Sequence, residues 1–385
     1  MKAIVTGMIA SYPVGGVAWD YGQYALGLER LGFEVYYLED TGWQTYDPRQ
    51  GQYGEDCSYA VEFLPAALGV LSPTLAQRWR FRNMDGRAYG LDDETFAGVL
   101  READLFLNVS GGTLLRDEYL KCNRKVLIDS DPGWNHFRNY PRWDANPKWH
   151  GSHGYRAHDF FFTYAERMGR PDCLLPDLGL SWQPTRPPVV MDCWQCEPPG
   201  VKWTTVMTWK NFQETIQYKG TTYGTKEMEF TKVEKLPLHT KASLELAVGG
   251  DTAPRDQWRN LGWSVVESQA ISRTTDDYRR YLQSSRGEFS VAKNVYVATR
   301  CGWFSCRSVC YLAAGLPAVV QDTGFSEIIP TGEGLFAFSN LEEAVRGLDA
   351  VETEYAFHQK AARALARRYF ASELVLGDLL RRIGL

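Results

Sequence analysis

Residues 300–322 read RCGWFSCRSVCYLAAGLPAVVQD, and the fold hypothesis for the whole chain starts from this stretch. The pattern predicts a loop, an apolar helix, a turn at Gly315-Leu316-Pro317 and a short buried strand. Glycine, serines and arginines gather where that helix begins. Such a helix start can hold an anion, or a serine can simply cap the helix while the arginines are solvated.

The chain around this stretch alternates predicted strands and helices. Strand-like runs occupy 204–209 and 243–251, a helical pattern covers 275–285, and the strand-like AVVQD closes the series at 318–322. This alternation favours a doubly wound α/β domain. The last segment, 341–385, is strongly helical and long enough to cross back over the first half of the chain.

The first half repeats the same alternation. A β-branched run at 2–7 precedes a loop with Gly15 and Gly16, a helical pattern and a second strand at 34–40. These form a βαβ unit, and more strand patterns follow between 104 and 166. We therefore expect a second Rossmann-like domain, with Gly15 and Gly16 letting the backbone approach a ligand closely.

Two acid pairs end strands of this first half. Glu39-Asp40 stands where a dinucleotide-binding protein would hold a ribose, but the GxGxxG spacing of such a site is absent. Asp129 and Asp131 are one residue apart on an extended segment, which predicts that both face the same crevice as the glycine loop. Asp-Pro-Gly is also a strong turn signal, so a purely structural role stays open.

The segment 182–203 is rich in proline and has no clear periodicity, which is typical of a linker between two domains. We predict an N-terminal domain at 1–186, a linker at 187–203 and a C-terminal domain at 204–370. The tail at about 371–385 is expected to return to the N-terminal domain.

Composition excludes several classes of protein. The chain has 385 residues, a net charge of −5 and 44% hydrophobic residues, which fits a globular protein of two domains. The charge gives no basis for binding a nucleic-acid polymer, and the apolar stretches are too short and too broken for a membrane span. The N-terminus is typical of a strand rather than a signal peptide, which predicts a cytoplasmic protein.

Cysteine spacing gives little support for a metal site. Cys193 and Cys196 have CxxC spacing, but no second Cys or His pair stands at zinc-finger distance. Reduced, structural cysteines are favoured, and no metal ligand set is expected.

The opening stretch resembles the donor-binding box of GT-B fold, nucleotide-sugar-dependent glycosyltransferases. That box reads approximately His-Cys-Gly-Trp-Asn-Ser, then Leu-Ala-Ala-Gly-Val-Pro, against CGWFS and YLAAGLP here. The resemblance is close over 300–325 and architectural elsewhere. It implies two Rossmann-like domains facing across a cleft, with a C-terminal helix that crosses back to the first domain.

The resemblance places the donor diphosphate at the helix start, where backbone N–H groups and the helix dipole favour an anion. Gly302 would allow close approach, while the serine hydroxyls and arginine guanidinium groups would bind phosphate oxygens. By the same resemblance the loop Asp322-Thr323-Gly324 touches sugar hydroxyls. The donor-binding candidates are Arg300, Gly302, Trp303, Ser305, Arg307, Ser308, Asp322, Thr323, Gly324, Lys293 and Lys226.

The acceptor side is less defined. Arg300 replaces the His of the familiar box, and the Glu-x7-Glu pattern of retaining enzymes has no counterpart, which favours inversion. An inverting enzyme needs a base in the first domain, and we expect Asp20, with Asp131 second. Gly15, Gly16 and His136 are expected at the cleft, and the aromatic-rich segment 134–155 either lines the acceptor side or is a packed loop.

The sequence therefore predicts a hexosyltransferase-type glycosyltransferase that leans toward inversion and needs neither metal nor a separate cofactor. Its donor would be a nucleoside-diphosphate sugar, and its acceptor a small molecule, natural product or glycan. Two alternatives stay open, a nucleotide-sugar epimerase of the same fold and a non-catalytic protein that binds sugar nucleotides.

Overall fold

Two parallel β-sheets with helices on their faces make up the protein. The computed structural model describes residues 1–148, 151–195, 197–210 and 215–385. Within these residues the first sheet has eight strands and the second has six. No helix in the described ranges is long and apolar enough to cross a membrane.

The first half of the chain builds the eight-stranded sheet. Its elements are β1 (Lys2–Thr6), α1 (Gly15–Arg30), β2 (Glu34–Glu39), β3 (Thr45–Asp47), β4 (Gln52–Gly54), α2 (Ser58–Leu71), β5 (Trp79–Arg82), β6 (Ala88–Gly90), α3 (Asp93–Glu102), β7 (Leu105–Val109), β8 (Lys125–Asp129), α4 (Pro132–Trp134), α5 (Tyr140–Ala145), β9 (Phe160–Thr163) and β10 (Trp182–Pro184). The strand order is β10-β9-β8-β7-β1-β2-β5-β6, in which only β6 is antiparallel to its neighbour. Strands β3 and β4 form a separate antiparallel hairpin.

The second half builds the six-stranded sheet. Its elements are β11 (Lys202–Thr208), β12 (Ile216–Tyr218), β13 (Thr221–Tyr223), α6 (Lys226–Phe230), β14 (Ser243–Gly249), α7 (Arg255–Asn260), β15 (Ser264–Glu267), α8 (Ser268–Ile271), α9 (Thr275–Gln283), β16 (Gly287–Ser290), α10 (Asn294–Thr299), α11 (Cys306–Ala313), β17 (Ala318–Gln321), β18 (Leu335–Phe338), α12 (Leu341–Thr353), α13 (Tyr355–Tyr369) and α14 (Ser372–Arg382). The all-parallel order is β15-β14-β11-β16-β17-β18.

The strands are apolar because helices cover both faces of each sheet. Ala3, Ile4 and Val5 of β1 are completely buried, as are Ala318 and Val319 of β17. In each sheet the strand order reverses beside its first strand, between β1 and β7 and between β11 and β16. Parallel α/β sheets bind ligands at the carboxyl ends of strands at such a reversal. The topology therefore gives one candidate crevice per sheet.

The C-terminal helix returns to the first domain. The amide of Ser372 donates to the carbonyl of Val189 at 2.9 Å, and α14 packs against α1 at Gly27. A Cβ on Gly27 would lie 2.6 Å from Leu376 and 3.0 Å from Ser372, so the two helices are in close contact. The prediction of two Rossmann-like domains with a returning helix is confirmed.

Candidate active site

The carboxyl ends of the two sheets face one another across a cavity of about 1050 Å³. The first domain lines it with the loop after β1, the start of α1 and the β3–β4 hairpin. The second domain lines it with the ends of β11, β16 and β17 and with the start of α11. Both crevices indicated by the strand orders therefore open into this one space.

Helix α11 begins at the wall of this cavity. Ser305 is its N-cap, and the Ser305 hydroxyl accepts from the amide of Arg307 at 3.2 Å. Ser305 therefore caps the helix as the capping interpretation expected, but Arg307 is not solvated, and the cap satisfies only one of the amides that lack partners in a first helical turn. Ser308 also reaches the cavity, and within the described residues its hydroxyl has no hydrogen-bond partner. The Ser305 cap therefore leaves other groups at the start of α11 available to bind an anion.

Arg307 is fixed from three sides. Its Nε donates to Glu288 Oε1 at 2.7 Å, one terminal nitrogen to the carbonyl of Val206 at 2.6 Å and the other to the hydroxyl of Ser290 at 2.5 Å. Glu288 is completely buried, and the second oxygen of its carboxylate has no partner among the described residues. The ion pair with Glu288 and the two other hydrogen bonds hold the guanidinium at the cavity wall in a single orientation. The sequence around Arg307 gave no indication of these contacts.

Lys226, at the start of α6, adds a second cation to this wall. Burial lowers its pKa well below the usual value, and the neighbouring charges of Arg307 and Lys293 lower it further. Among the residues that the structure describes, its ammonium group has neither a hydrogen bond nor an ion pair. Lys226 is half-buried at the cavity wall, and a cation without a counter-ion there is stabilised when an anion binds, so this part of the cavity is suited to an anionic ligand.

Lys293 connects the two domains. Its Nζ lies 2.5 Å from Asp131 Oδ2, and the hydroxyl of Tyr296 donates to the other oxygen of the same carboxylate. Asp131 belongs to the first domain, directly before α4. This predicted second-choice base is thus held in an ion pair across the cleft.

Asp20 faces the cavity from α1, opposite the first residue of α11. Burial raises its pKa to about 6, while a hydrogen bond from the thiol of Cys306 lowers it. Tyr21, Tyr24 and Tyr164 surround the carboxylate, and its charge raises the pKa of each of them. A carboxylate with a pKa near neutrality in a cleft fits a general base.

Four predicted donor residues do not reach the cavity, and Arg300, Gly302 and Gly324 are three of them. Arg300 ends α10 with φ of 50°, and its guanidinium pairs with Asp172 at 2.9 Å and Glu327 at 2.6 Å. Gly302 and Gly324 have φ of 82° and 94°, and a Cβ on either would lie 2.8 Å from the Arg167 side chain. These two glycines therefore make room for Arg167 of the first domain and not for a ligand.

Asp322 is also turned away from the cavity. One of its oxygens accepts from the amide of Gly324 at 2.8 Å, and the other accepts from the hydroxyl of Ser326 at 2.7 Å. Its carboxylate thus closes the turn after β17. Thr323 does line the cavity, as does Trp303, whose ring stacks on Tyr296 with centroids 4.3 Å apart.

The prediction that Asp129 and Asp131 share a crevice is wrong. Strand β8 ends at Asp129, whose buried carboxylate accepts from Asn135 at 2.6 Å and pairs with His136 at 2.9 Å. The second ring nitrogen of His136 lies 2.7 Å from the carbonyl of Pro176. His136 is completely buried and belongs to the core and not to the cleft.

The acid pair that ends β2 is structural. Glu39 accepts from the amides of Ala10 at 2.8 Å and Ser11 at 2.5 Å, so it fastens the loop that follows β1. Asp40 is buried against Arg116, with 2.5 Å between Oδ2 and Nε. Neither carboxylate is placed to hold a ribose.

Both Gly15 and Gly16 are expected at the cleft, but only Gly16 lines the cavity. A Cβ on Gly15 would lie 2.1 Å from the carbonyl oxygen of Thr274, so this glycine lets the second domain, rather than a ligand, approach α1. Gly16 lines the cavity and donates its amide to the hydroxyl of Ser272 at 3.2 Å.

An aromatic wall on the first domain was missed in the sequence. Tyr12, Trp43, Tyr46 and Tyr53 all line the cavity, and we call these four residues the aromatic wall. Tyr12 stacks on Tyr46 at 4.7 Å between ring centroids, and Tyr46 lies 5.3 Å from Tyr53. The available signal was a pair of tyrosines flanking the turn-forming Asp-Pro-Arg-Gln-Gly of 47–51.

Two sequence predictions lie partly outside the described residues. Cys196 of the CxxC pair is one of them, and residues 149 and 150 of the aromatic-rich segment are the other. From that segment Trp134, Asn139, Arg142 and Trp143 line the cavity.

Solved structures with the same arrangement of two domains match the chain over its full length. An α-glucosyltransferase (AGT) in complex with UDP is 11% identical, with 100% of both chains covered and a TM-score of 0.53. AviGT4, a glycosyltransferase involved in avilamycin A biosynthesis, is 13% identical over 99% of this chain and 96% of its own, with a TM-score of 0.55. The chain has the GT-B glycosyltransferase fold. HepE from Anabaena, in complex with UDP and glucose, shares this GT-B fold at 10% identity and a TM-score of 0.55, over 100% of this chain and 99% of its own.

The GT-B assignment comes from structure and not from sequence similarity. No family model matches the sequence, and no curated protein matches it. At 10–13% identity these likenesses establish the fold alone.

Proposed function

We propose that the protein transfers a sugar from a nucleoside-diphosphate sugar to an acceptor hydroxyl, with inversion at the anomeric carbon and without a metal ion. The observation that carries this proposal is the pair of cations, Lys226 and Arg307, at the cavity wall beside the start of α11. A fixed guanidinium, a lysine without a counter-ion and a helix N-terminus together favour a diphosphate.

The leaving group would be stabilised by these groups. As the bond between the anomeric carbon and the diphosphate oxygen breaks, negative charge grows on that oxygen. In this proposal Lys226, Arg307, the hydroxyl of Ser308 and the first amides of α11 bind that oxygen, so that the diphosphate departs without a metal. Two neighbours of the same fold, AGT and HepE, are solved in complex with UDP, which supports a nucleotide as part of the donor.

Asp20 is the base that we propose. Its carboxylate takes the proton of the acceptor hydroxyl while that oxygen attacks the anomeric carbon from the face opposite the diphosphate. The raised pKa of about 6 keeps it basic enough to accept the proton and mostly ionised at neutral pH. Asp131 is less suited, because Lys293 and Tyr296 already occupy both of its oxygens.

A thermal-shift panel of UDP-, GDP- and dTDP-sugars tests donor binding. We expect one nucleotide to raise the melting temperature of the wild type and to raise that of Arg307→Ala much less. Arg300→Ala is the matched control, because this arginine of the same segment points away from the cavity, and the variant should respond as the wild type does. A normal response from Arg307→Ala would refute the diphosphate site.

Product analysis then separates the reactions. Transfer to an added acceptor supports the transferase, and NMR of the new glycosidic bond reports inversion or retention. Release of an epimerised sugar without an acceptor would establish the epimerase instead. Binding with neither transfer nor release would leave a non-catalytic role.

A further inference from the structure

The aromatic wall is built as a rigid surface. Residues Tyr46 and Tyr53 are directly opposite in the antiparallel pairing of β3 and β4, so their rings lie on one face of the hairpin. The amide of Tyr46 donates to the carbonyl of Ser11 at 2.9 Å, which ties the hairpin to the loop that carries Tyr12. Asp47 closes the turn by pairing with Arg49 at 2.7 Å.

The wall is exposed although its residues are large and aromatic. Trp43 is 44% exposed and Tyr53 is 57% exposed. Within the described chain, the hydroxyls of Tyr46 and Tyr53 have no hydrogen-bond partner. Contiguous exposed aromatic rings that border a cavity are typical of a binding surface rather than of the core.

Three neutral amides line the same cavity as the aromatic wall. Gln44 follows Trp43 in the sequence, Asn139 directly precedes α5 and Asn146 directly follows it. The aromatic wall and these three amides carry no charge. Arg142 of the first domain lines the cavity with them, and the donor end carries Lys226 and Arg307. A purely apolar or flat aromatic ligand would leave the amides and phenols without partners, which costs affinity.

The cavity is large and is lined by both domains. Its volume of about 1050 Å³ is at the upper end of the roughly 300–1,000 Å³ range of ligand pockets. The cations lie on the second domain and the wall on the first, so a nucleotide sugar at one end leaves the other end free.

We propose that the aromatic wall binds a pyranose ring of a neutral carbohydrate acceptor, stacked on the exposed ring of Tyr53 with its hydroxyls bonded by the phenols and amides. This assignment rests on the transferase function proposed above and names the class of its acceptor. Sugar rings present apolar C–H faces and polar edges, which matches a surface of flat rings edged with neutral hydrogen-bonding groups.

Saturation-transfer NMR on the whole protein tests this directly. The probes are neutral disaccharides of glucose and N-acetylglucosamine, measured with and without UDP, beside a planar aromatic phenol without sugar. We expect at least one disaccharide to show a saturation-transfer signal with the wild type. Tyr53→Ala should bind that disaccharide about tenfold more weakly. Tyr53→Phe keeps the ring and should lose less.

Phe357→Ala is the matched control, because Phe357 is a similarly exposed aromatic residue, 47% exposed, on α13 and outside the cavity. It should bind the disaccharide as the wild type does. Equal binding by wild type and Tyr53→Ala, binding of the phenol alone, or no disaccharide binding under either condition would overturn the proposal. Disaccharide binding that depends on Tyr53, in a protein that no nucleotide sugar stabilises, would uphold the wall and refute the donor site.

Discussion

The ammonium group of Lys226 is held at the cavity wall although burial and two neighbouring cations oppose its charge. We predict that Lys226→Met raises the melting temperature of the ligand-free protein, because a costly buried charge is removed. The same change should weaken nucleoside-diphosphate binding at least tenfold, since a charge-assisted hydrogen bond is lost. Calorimetry with and without UDP measures both. Lys235→Met, at an exposed lysine, should change neither, and a variant that loses both stability and affinity would contradict the assignment.

Asp20 and Cys306 give a second prediction at the residue scale. Asp20 works as a base only when ionised, so kcat/KM should rise with pH and level off above its pKa of about 6. The Cys306 thiol lowers that pKa, and Cys306→Ala should therefore move the acidic limb of the profile to higher pH. Cys306→Ser keeps a hydrogen-bond donor to Asp20 and should return the acidic limb to its position in the wild type.

Asp20→Asn removes the base and should lower kcat roughly 10²–10⁴-fold. Substrate affinity should change little, which separates loss of the base from loss of folding. A pH–rate profile that keeps its acidic limb in Asp20→Asn would assign that limb to another group.

The loop after β1 depends on a buried acid at the end of β2. Burial raises the pKa of Glu39 to about 7 although four hydrogen bonds to it lower the value. A folded-state pKa above the ordinary 4.5 stabilises the protein below pH 4.5, and this stabilisation is lost as pH rises through 7. Glu39→Gln cannot ionise, so its stability relative to the wild type should increase by about 2–3 kcal/mol between pH 4.5 and pH 7.5.

Urea unfolding of both proteins across this pH range measures that difference. His158 titrates in the same window with the opposite sign, since burial lowers its pKa to about 4. Its contribution is common to both proteins and cancels in the comparison. A difference in free energy that stays constant with pH would show that folding does not raise the pKa of Glu39.

The sequence predicts those features of the structure that arise from residues close together in the chain. The helix and strand after Ser305 follow from a local pattern of capping, apolar period and turn, so residues 300–322 predicted them. That Arg307 lines the cavity and Arg300 does not could not be predicted, because it depends on the left-handed backbone at Arg300 and on Glu288 of strand β16. The aromatic wall depends on the pairing of β3 with β4, and a shift of one residue would turn Tyr46 to the other face.

At the scale of the whole molecule, the two domains are predicted correctly because each βαβ unit has a recognisable local pattern of strand, loop, helix and strand. The contacts between the domains could not be predicted, because the residues that meet there are far apart in sequence. Arg167 of the first domain passes between Gly302 and Gly324 of the second, and Gly133 of α4 accommodates Val295 of α10. These glycines maintain domain contact, although in the sequence the donor-box glycines indicate only a ligand.

Gly15 lies at such a contact on the other side of the cavity, and it carries the last prediction. Its amide donates to the carbonyl of Ser272 at 2.8 Å, and a Cβ would lie 2.1 Å from the carbonyl oxygen of Thr274. In Gly15→Ala the start of α1 must move away from α9, so the base and the donor cations no longer face each other at the right distance. We expect kcat to fall tenfold or more, because small misplacements are costly in catalysis, while UDP affinity changes little.

Hydrogen exchange distinguishes this loosening of the domains from unfolding. The amides of Gly15 and Gly16 should exchange faster in Gly15→Ala, because both donate across the domain boundary, whereas amides of β1 and β11 should stay protected. Gly377→Ala is the control, since a Cβ there meets no atom within 4 Å and α14 gains helix propensity. Full activity in Gly15→Ala with faster exchange at both glycines would show that catalysis does not require this domain contact.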